Sequence, residues 1–349
     1  MNCKDNKFID INSHSGSYRV EFISNPNQIL SELADCVVFI DETVRSISTF
    51  PSLNEVPIIT VRPSEDEKSF GNIEKYLYKL RELGVTRSHR LIAIGGGVTQ
   101  DIVSFLSQIY FRGLKWWFLP TTLLAQCDSC VGSKSSINLG RFKNSVGGFH
   151  PPEKIFIDVN FLNSLDLQAV QSGIGELLKI FLIFDRPVFF EFMEHYDDLL
   201  RNRNFLKYIS HALRLKRNII EIDEFDRCER RVMNYGHGFG HAFETISNFT
   251  IPHGIAVTAG LDCANFVGKS LHGSNLFDHV SHLLRRNFDK KNFHGLSGAE
   301  IVRVMENDKK NVPGHLALVL PDRNSDISLF QKREKQEVEY LIESWLESL

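Results

Sequence analysis

The chain has 349 residues, of which 42% are hydrophobic and 24% are charged, and its formal net charge at pH 7 is −3. This balance is typical of a globular protein long enough for two domains, and the lack of a basic excess argues against a nucleic acid as the main partner. The chain begins with a polar segment, and it has no uncharged apolar run close to the roughly 18 residues that a membrane span needs. These two features predict a cytoplasmic protein.

The first part of the chain alternates short β-branched or aromatic runs with helical stretches. The runs predict strands over residues 36–40, 56–61, 91–94, 116–119 and 154–158. Between two of them, residues 72–83 carry apolar side chains at helical spacing. This alternation is typical of parallel α/β units. We therefore expect an α/β domain over residues 1–160.

The second part of the chain has few strand-like runs. Long segments with helical periodicity predict helices over residues 167–184, 187–222, 232–248, 254–270, 275–286 and 298–309. A late apolar run over residues 315–321 predicts one strand or hairpin arm. We expect residues 161–349 to form a helical domain.

A glycine turn follows the predicted strand 91–94. Gly95, Gly96 and Gly97 lead into a helical pattern, so backbone N–H groups at the helix N-terminus can accept a pyrophosphate. Gln100 stands where a strict Gly-x-Gly-x-x-Gly motif has its third glycine, so a plain strand-to-helix turn stays an alternative. Asp41 ends another strand, where it is either a ribose-binding acid or a helix cap.

A histidine pair points to a metal. His237 and His241 are four residues apart and share a helix face, and His253 follows a few turns later. Upstream, Glu176 and Lys179 are three residues apart. Two histidines and a glutamate with an open position are typical of a catalytic zinc site. Core histidines bonded to the backbone remain the alternative on spacing alone.

Seven segments together resemble a known family. They are GGGVTQDIVSF, FRG, PTTLLAQCDSCVGSKSSIN, FKNSVGGFHPP, GIGELLK, RRVMNYGHGFGHAFE and PHGIAV. Read in this order, they resemble the sugar phosphate cyclases, nearest to the 3-dehydroquinate synthases, over about residues 35–320. The resemblance implies an α/β N-terminal nucleotide-binding domain and an all-α C-terminal metal-binding domain, as in a dehydroquinate synthase-like fold.

The resemblance also implies site residues. Zinc, with cobalt as an alternative, would be held by Glu176, His237 and His253. NAD would contact Asp41, Glu65, Lys68, Gly96, Gly97, Asp101, Thr121 and Thr122. The implied catalytic residues are Lys134, Lys179, Lys216, Arg230, Asn234 and His241. The implied substrate-binding residues are Arg112, Asp128, Lys143, Asn144 and Lys310.

Besides the glycine that is missing directly before Glu65, three positions depart from the family pattern. Gln100 and Ser104 replace glycines of the first turn and helix, and Ser133 replaces the second glycine of a VGGK motif. A side chain at Gln100 could narrow the room for the phosphates of the cofactor. The implied metal and substrate residues are all in place.

The resemblance implies conversion of 3-deoxy-D-arabino-heptulosonate 7-phosphate to 3-dehydroquinate by an NAD-dependent, metal-assisted lyase that is a homodimer. A hydroxyl is oxidised, phosphate is eliminated, the hydride returns and an aldol step closes the carbocycle. Lys216, Arg230 and Asn234 together favour a substrate with a carboxylate. An inosose, valiolone or amino-dehydroquinate synthase, a metal-dependent alcohol or glycerol dehydrogenase, and an inactive binding protein on the same fold are the alternatives.

Overall fold

The computed structural model describes residues 7–26, 29, 33–48, 50, 53, 56–140, 142–306 and 314–349. The chain forms two compact units. The first comprises Met1–Leu165 and Asn204–Phe225, and the second comprises Asp166–Arg203 and Asp226–Leu349. The segment 204–225 lies beyond the predicted boundary at residue 160 and nevertheless belongs to the first unit. The division into domains 1–160 and 161–349 stays a prediction.

The strands of the two units are short. In chain order they are β1 (Phe8–Ile11), β2 (Tyr18–Phe22), β3 (Cys36–Asp41), β4 (Ile58–Val61), β5 (Arg90–Gly95), β6 (Lys115–Pro120), β7 (Lys134–Leu139), β8 (Phe142–Phe149), β9 (Lys154–Ile157), β10 (Leu316–Pro321) and β11 (Ile327–Lys332).

The helices dominate the second unit. In chain order they are α1 (Glu42–Ile47), α2 (Phe70–Glu82), α3 (Gly97–Ile109), α4 (Leu167–Phe184), α5 (Arg186–Glu194), α6 (Tyr196–Asn202), α7 (Leu206–Ile222), α8 (His237–Ile246), α9 (His253–His272), α10 (Leu276–Leu284), α11 (Gly298–Met305) and α12 (Lys335–Glu347).

The first unit is built on a sheet whose described strands have the order β1-β2-β9-β6-β5-β3-β4. Only β1 and β2 pair antiparallel, and the other neighbours are parallel. All six residues of β3 are buried, as expected for a strand covered on both faces. Because Ile40 pairs with Ile94 and Gly95 pairs with Pro120, the carboxyl ends of β3, β5 and β6 meet at one edge.

Two further elements of the first unit matter for the site. The strands β7 and β8 form a separate antiparallel hairpin. Between β6 and β7, Ala125–Ser129 form a short π-helical turn, a geometry that is frequent at functional sites. Helix α7 packs on this turn, which explains why residues 204–225 belong to the first unit.

Helix α4 lies in the interior of the second unit. By length and composition it could cross a membrane, with a mean hydropathy of 1.4 over 18 residues. However, 67% of this window is buried inside the protein, and the helix carries the charged side chains of Glu176 and Lys179. Its apolar surface therefore packs against other helices, as in the core of a soluble protein.

The predicted fold class is confirmed, and most of the predicted elements are present. The strand predicted over 56–61 begins at Ile58, and the helix predicted over 187–222 is wrong as one element because it divides into α5, α6 and α7. The predicted late strand is β10, which pairs with β11, so the second unit is helical with one hairpin rather than all-α. The sequence analysis missed β1, β2, β7, β8, β11, α1 and α12.

Candidate active site

The carboxylate of Glu176 lies between two histidines in the second unit. Glu176 is 1% exposed, and its Oε1 is 3.5 Å from Nε2 of His237 and 3.2 Å from Nε2 of His253. Its Oε2 forms an ion pair with Lys179. Neither carboxylate oxygen accepts a hydrogen bond with good geometry. Burial of a carboxylate without such bonds is costly, and the ion pair with Lys179 offsets part of this cost, while Oε1 faces the two histidines.

Glycines bring the helices that carry these ligands together. A Cβ at Gly175 would lie 1.9 Å from the carbonyl oxygen of Gly254, and a Cβ at Gly254 would lie 1.7 Å from that of Ser172. Both distances are far below van der Waals contact, so only glycine allows α4 and α9 to approach this closely. The hydroxyl of Ser172 also accepts a hydrogen bond from the Gly254 N–H at 3.0 Å. This close approach places Glu176 beside His253.

Each of the two histidines has an oxygen at its Nδ1 atom. The Nδ1 of His237 is 3.3 Å from the carbonyl oxygen of Tyr235, and the Nδ1 of His253 is 3.0 Å from Oε2 of Glu244. An acceptor at Nδ1 holds the proton there and leaves Nε2 as the ligand atom. The sequence analysis missed Glu244, although it stands in the same motif three residues after His241.

The charges of the cluster shift its pKa values strongly. Burial alone would raise the pKa of Glu176, but Lys179, His237 and His253 outweigh it and hold this pKa well below its usual range. Burial, reinforced by Lys179, holds the pKa of His237 well below its ordinary value. Burial would also lower the pKa of His253, but Glu176 and Glu244 raise it to about 10. A metal held by His253 would compete with a proton for the ring, so its binding would depend on pH.

The cluster fits a divalent metal. Among the described residues, ligand atoms of His237, His241 and His253 lie within 4.8 Å of one another, and Glu176 adds a carboxylate oxygen. The ring centroids of His237 and His241 are 5.3 Å apart, as their spacing on α8 predicts. Nitrogen and carboxylate donors at these separations suit zinc, and imidazole suits cobalt as well.

The predicted cofactor residues converge at the sheet edge of the first unit. A Cβ at Gly95 would lie 3.1 Å from Cβ of Asp41, and a Cβ at Gly96 would lie 3.1 Å from Cγ2 of Thr122. Thr121 is buried, and its N–H donates to the carbonyl of Gly95 at 3.0 Å. Asp41 also caps α1 by accepting from Thr43 N–H at 2.8 Å, so the helix-cap interpretation is correct in any case.

The glycine turn opens directly into α3. No side chain caps this helix at Gly96, and a Cβ at Gly97 would meet no atom within 4 Å. The amide groups of the first turn point out of the helix end, where their partial positive charge attracts anions. Open space beside exposed amides fits the pyrophosphate of a dinucleotide.

Lys68 contacts three other predicted residues. Its Nζ is 2.7 Å from Oδ2 of Asp101 and 3.3 Å from Oε1 of Glu65, and it donates to Oδ1 of Asn144 at 2.9 Å. Burial would lower the pKa of Lys68, but Asp101 and Glu65 outweigh burial and raise it. The ammonium group therefore stays charged and links predicted cofactor and substrate residues.

A second ion pair joins Asp128 and Lys216. The Nζ of Lys216 is 2.9 Å from Oδ1 of Asp128 and donates to the carbonyl oxygen of the same residue at 2.6 Å. Lys216 belongs to α7 and is buried, and Asp128 belongs to the π-helical turn. The predicted catalytic lysine and the predicted substrate residue are thus in direct contact.

The other predicted residues belong to both units. Arg112, Lys134 and Lys143 are exposed in the first unit, and Arg112 has a positive φ of 68°. In the second unit, Arg230 is buried, and the side-chain amide of Asn234 donates to the carbonyl of Arg231 at 3.0 Å. Lys310 lies outside the described residues.

Gln100, one of the departures from the family pattern, bonds its side chain to another segment and not to the glycine turn. Both ends of the buried side-chain amide are bonded to Ser129, at 2.7 Å each. Ser104 donates to the carbonyl of Asp101 at 3.1 Å, and Ser133 is buried. The expected narrowing of the phosphate site by Gln100 therefore has no support in the position of this side chain.

The sequence matches one family over most of its length. Residues 58–172 match the N-terminal model of 3-dehydroquinate synthase and residues 173–311 match its C-terminal model. Among curated relatives, the 3-dehydroquinate synthase of Clostridium perfringens (strain 13 / Type A) is 36% identical over 274 residues, which cover 76% of this chain and 77% of that protein.

Solved structures share the fold at lower identity. The 2-epi-5-epi-valiolone synthase from Streptomyces hygroscopicus subsp. jinggangensis 5008, with NAD+ and Zn2+ bound, superposes with a TM-score of 0.85 at 22% identity and covers 96% of this chain and 98% of that one. A 2-deoxy-scyllo-inosose synthase complexed with carbaglucose-6-phosphate, NAD+ and Co2+ has a TM-score of 0.81 at 22% identity, with 97% and 99% covered. At these identities the likeness concerns the fold.

Proposed function

We propose that this chain, which belongs to the 3-dehydroquinate synthase family, converts 3-deoxy-D-arabino-heptulosonate 7-phosphate to 3-dehydroquinate and phosphate. The observation that carries the proposal is the buried carboxylate of Glu176 between His237 and His253. Such a ligand set suits a metal that binds substrate oxygen at an open position. A cytoplasmic homodimer that acts on this small sugar phosphate is part of the proposal.

Two cofactors complete the site in this proposal. Glu176, His237 and His253 hold zinc, with cobalt as an alternative, and the sheet edge at Gly96 and Gly97 holds NAD. When bound, the metal supplies Lewis acidity at a substrate hydroxyl, and the nicotinamide accepts and returns a hydride. The remaining NAD contacts are assigned to Asp41, Glu65, Lys68, Asp101, Thr121 and Thr122.

The chain's own side chains bind and orient the substrate anions. Arg230 is buried, and its guanidinium suits a carboxylate because two of its N–H groups can bond to both oxygens. Lys216 is assigned to the same end of the substrate, with Asn234. The candidate donors to the phosphate group are Lys134, Lys143, Asn144 and His241, and contacts to the rest of the substrate are assigned to Arg112, Asp128 and Lys310.

His241 is the candidate for proton transfer. It lies one turn beyond His237 on α8, and its ring centroid is 5.7 Å from the ring centroid of His253. A histidine next to the ligand cluster can accept the proton from the carbon beside the new ketone in the elimination that releases phosphate, because an unprotonated imidazole nitrogen is a general base. Lys179, paired with Glu176, keeps this carboxylate ionised and adds positive charge near a developing enolate.

One experiment tests the proposed function. The purified protein is incubated with NAD, zinc and one of three substrates: heptulosonate phosphate, sedoheptulose 7-phosphate or glucose 6-phosphate. We expect release of phosphate and formation of 3-dehydroquinate from heptulosonate phosphate alone. Turnover of one of the other two sugar phosphates instead would reassign the substrate within the cyclases, and NADH accumulation from glycerol would favour a dehydrogenase.

A further inference from the structure

Gln100 and Ser129 form a reciprocal pair inside the first unit. The side-chain NH2 group of Gln100 donates to the carbonyl oxygen of Ser129 at 2.7 Å, and the Ser129 hydroxyl donates to Oε1 of Gln100, also at 2.7 Å. Because a carbonyl only accepts, the first bond fixes which end of the amide is nitrogen. Both ends of the amide are therefore used, and Gln100 has one defined orientation.

The pair connects two segments that carry candidate site residues. Gln100 is in the first turns of α3, directly before Asp101, whose carboxylate contacts Lys68. Ser129 ends the π-helical turn, directly after Asp128, whose carboxylate contacts Lys216. Partly buried bonds between these neighbours restrict the distance between the cofactor edge and the Asp128 carboxylate.

The end of the π-helical turn needs such partners. Carbonyl groups in the last turn of a helix lack intrahelical donors, so other groups must satisfy them. The carbonyl of Asp128 accepts from the Val131 N–H at 3.2 Å and also from Lys216 Nζ at 2.6 Å, and that of Ser129 accepts from the side chain of Gln100. Two consecutive carbonyls are thus bonded by side chains of two different helices, Lys216 of α7 and Gln100 of α3.

We propose that the Gln100–Ser129 pair is a positioning device that holds Asp128, and through it Lys216, in register with the glycine turn of the cofactor site. This inference rests on the proposed function, because it assigns the pair to a reaction that needs both segments. Gln100 and Ser129 act through their neighbours and are positioning residues. Removing the pair should slow turnover of the sugar phosphate and leave the binding of NAD alone nearly unchanged.

The test uses variants that remove the bonds without opening a cavity. Gln100→Met has a similar shape and loses both bonds, Ser129→Ala loses the hydroxyl, and Ser129→Thr keeps it. The control is Tyr196→Phe in the second unit, which removes the buried hydrogen bond from Tyr196 to Oδ1 of Asn287 at 2.9 Å. Steady-state kinetics, the dissociation constant of NAD and thermal unfolding are measured for each holoenzyme.

We expect Gln100→Met to lower kcat/KM for heptulosonate phosphate by about 10-fold or more, since small displacements of reacting groups are costly. The dissociation constant of NAD should change less than about 2-fold. The double variant Gln100→Met with Ser129→Ala should be no slower than Gln100→Met, because partners in one bond pair are not additive. Ser129→Thr should retain most of the rate that Ser129→Ala loses, and Tyr196→Phe should have the rate of the wild type.

Three results would overturn the inference. The first is a Gln100→Met enzyme with wild-type kcat/KM and only a lower melting temperature, which would make the pair purely structural. The second is weaker NAD binding at unchanged kcat, which would assign Gln100 to the cofactor site. The third is full additivity in the double variant. If the wild type converts a different sugar phosphate, the substrate assignment is refuted, and the same variants are then measured with that sugar phosphate. If the wild type is inactive, both proposals are refuted.

Discussion

Oε2 of Glu244 lies 3.0 Å from Nδ1 of His253, and the opposite ring nitrogen of His253 faces Oε1 of Glu176 at 3.2 Å. The imidazole is therefore fixed between two carboxylates. A carboxylate behind a ligating histidine sets its orientation and increases its basicity. In the proposed metal site, Glu244 would thus support His253 without being a ligand itself.

Glu244→Gln should weaken the binding of zinc by about 10- to 100-fold, because the amide supports the His253 ring less well than a carboxylate. The measurement is zinc affinity by competition with a chelator. Excess zinc should restore most of the activity. The matched control is Glu194→Gln, an exposed glutamate at the end of α5. Equal zinc affinity in Glu244→Gln and the wild type would remove Glu244 from the site.

His253→Ala should abolish turnover because it removes one of three proposed ligands, and a two-ligand site holds zinc poorly. The fold should persist, since catalytic sites are seldom the main source of stability. Metal content by elemental analysis and circular dichroism check these two outcomes separately. A His253→Ala protein that stays fully active after chelation would refute the metal assignment.

Arg230→Ala should lower kcat/KM for heptulosonate phosphate by roughly two orders of magnitude or more. Loss of one partner of a buried charge pair costs roughly 2–5 kcal/mol, and each ~1.4 kcal/mol corresponds to a factor of ten. NAD binding should stay unchanged.

The matched control for this variant is Arg231→Ala, the next residue in the chain, which is less buried than Arg230. The kinetics of both variants are compared with the same substrate. Similar losses in the two variants would indicate a general effect of positive charge and would contradict a carboxylate partner for Arg230.

Glu67 should make the stability of the protein depend on pH. Its buried carboxylate accepts from the Tyr76 hydroxyl at 2.6 Å and from Arg62 at 3.1 Å, and it pairs with Lys75. Burial would raise the pKa of Glu67, but the hydrogen bonds from Lys75, Tyr76 and Arg62 outweigh it and lower the pKa. Because the pKa of Glu67 is lower in the folded state, the ionised carboxylate stabilises this state at pH values above the unfolded pKa of about 4.3. This contribution is lost as the pH falls through the folded pKa.

The free energy of unfolding of the wild type should therefore exceed that of Glu67→Gln at neutral pH, and the difference should shrink below about pH 4. Urea denaturation at both pH values measures this difference. Glu74→Gln, an exposed change on α2, should show no comparable dependence. A difference that grows in acid would contradict the lowered pKa of Glu67.

Local patterns predicted the sheet and the histidine cluster. The strands β3, β5 and β6 could be predicted because their apolar runs are bounded by turns. The histidines of α8 could be predicted to be neighbours because residues four apart share a helix face, whatever the helix packs against. The hairpin of β7 and β8 was missed because its sequence is polar and partly exposed. The break between α6 and α7 was missed because Arg203, rather than a glycine, adopts the left-handed conformation there.

Contacts between distant segments could not be predicted. Lys68 and Asn144 are 76 residues apart in sequence, and Lys216 and Asp128 are 88 apart. No periodicity relates such positions, since their approach depends on the packing of the whole unit. The support of His253 by Glu244 had a weak local signal, namely a glutamate three residues after His241 on the same helix.

The most direct measurement of the central claim records phosphate release and NADH absorbance together during turnover of heptulosonate phosphate. The account predicts one phosphate released per 3-dehydroquinate formed, no net accumulation of NADH, and loss of both products after removal of the metal. A cyclase returns the hydride it removes, so the redox balance is zero. Accumulation of NADH in proportion to product, or phosphate release that persists in the metal-free protein, would contradict the account.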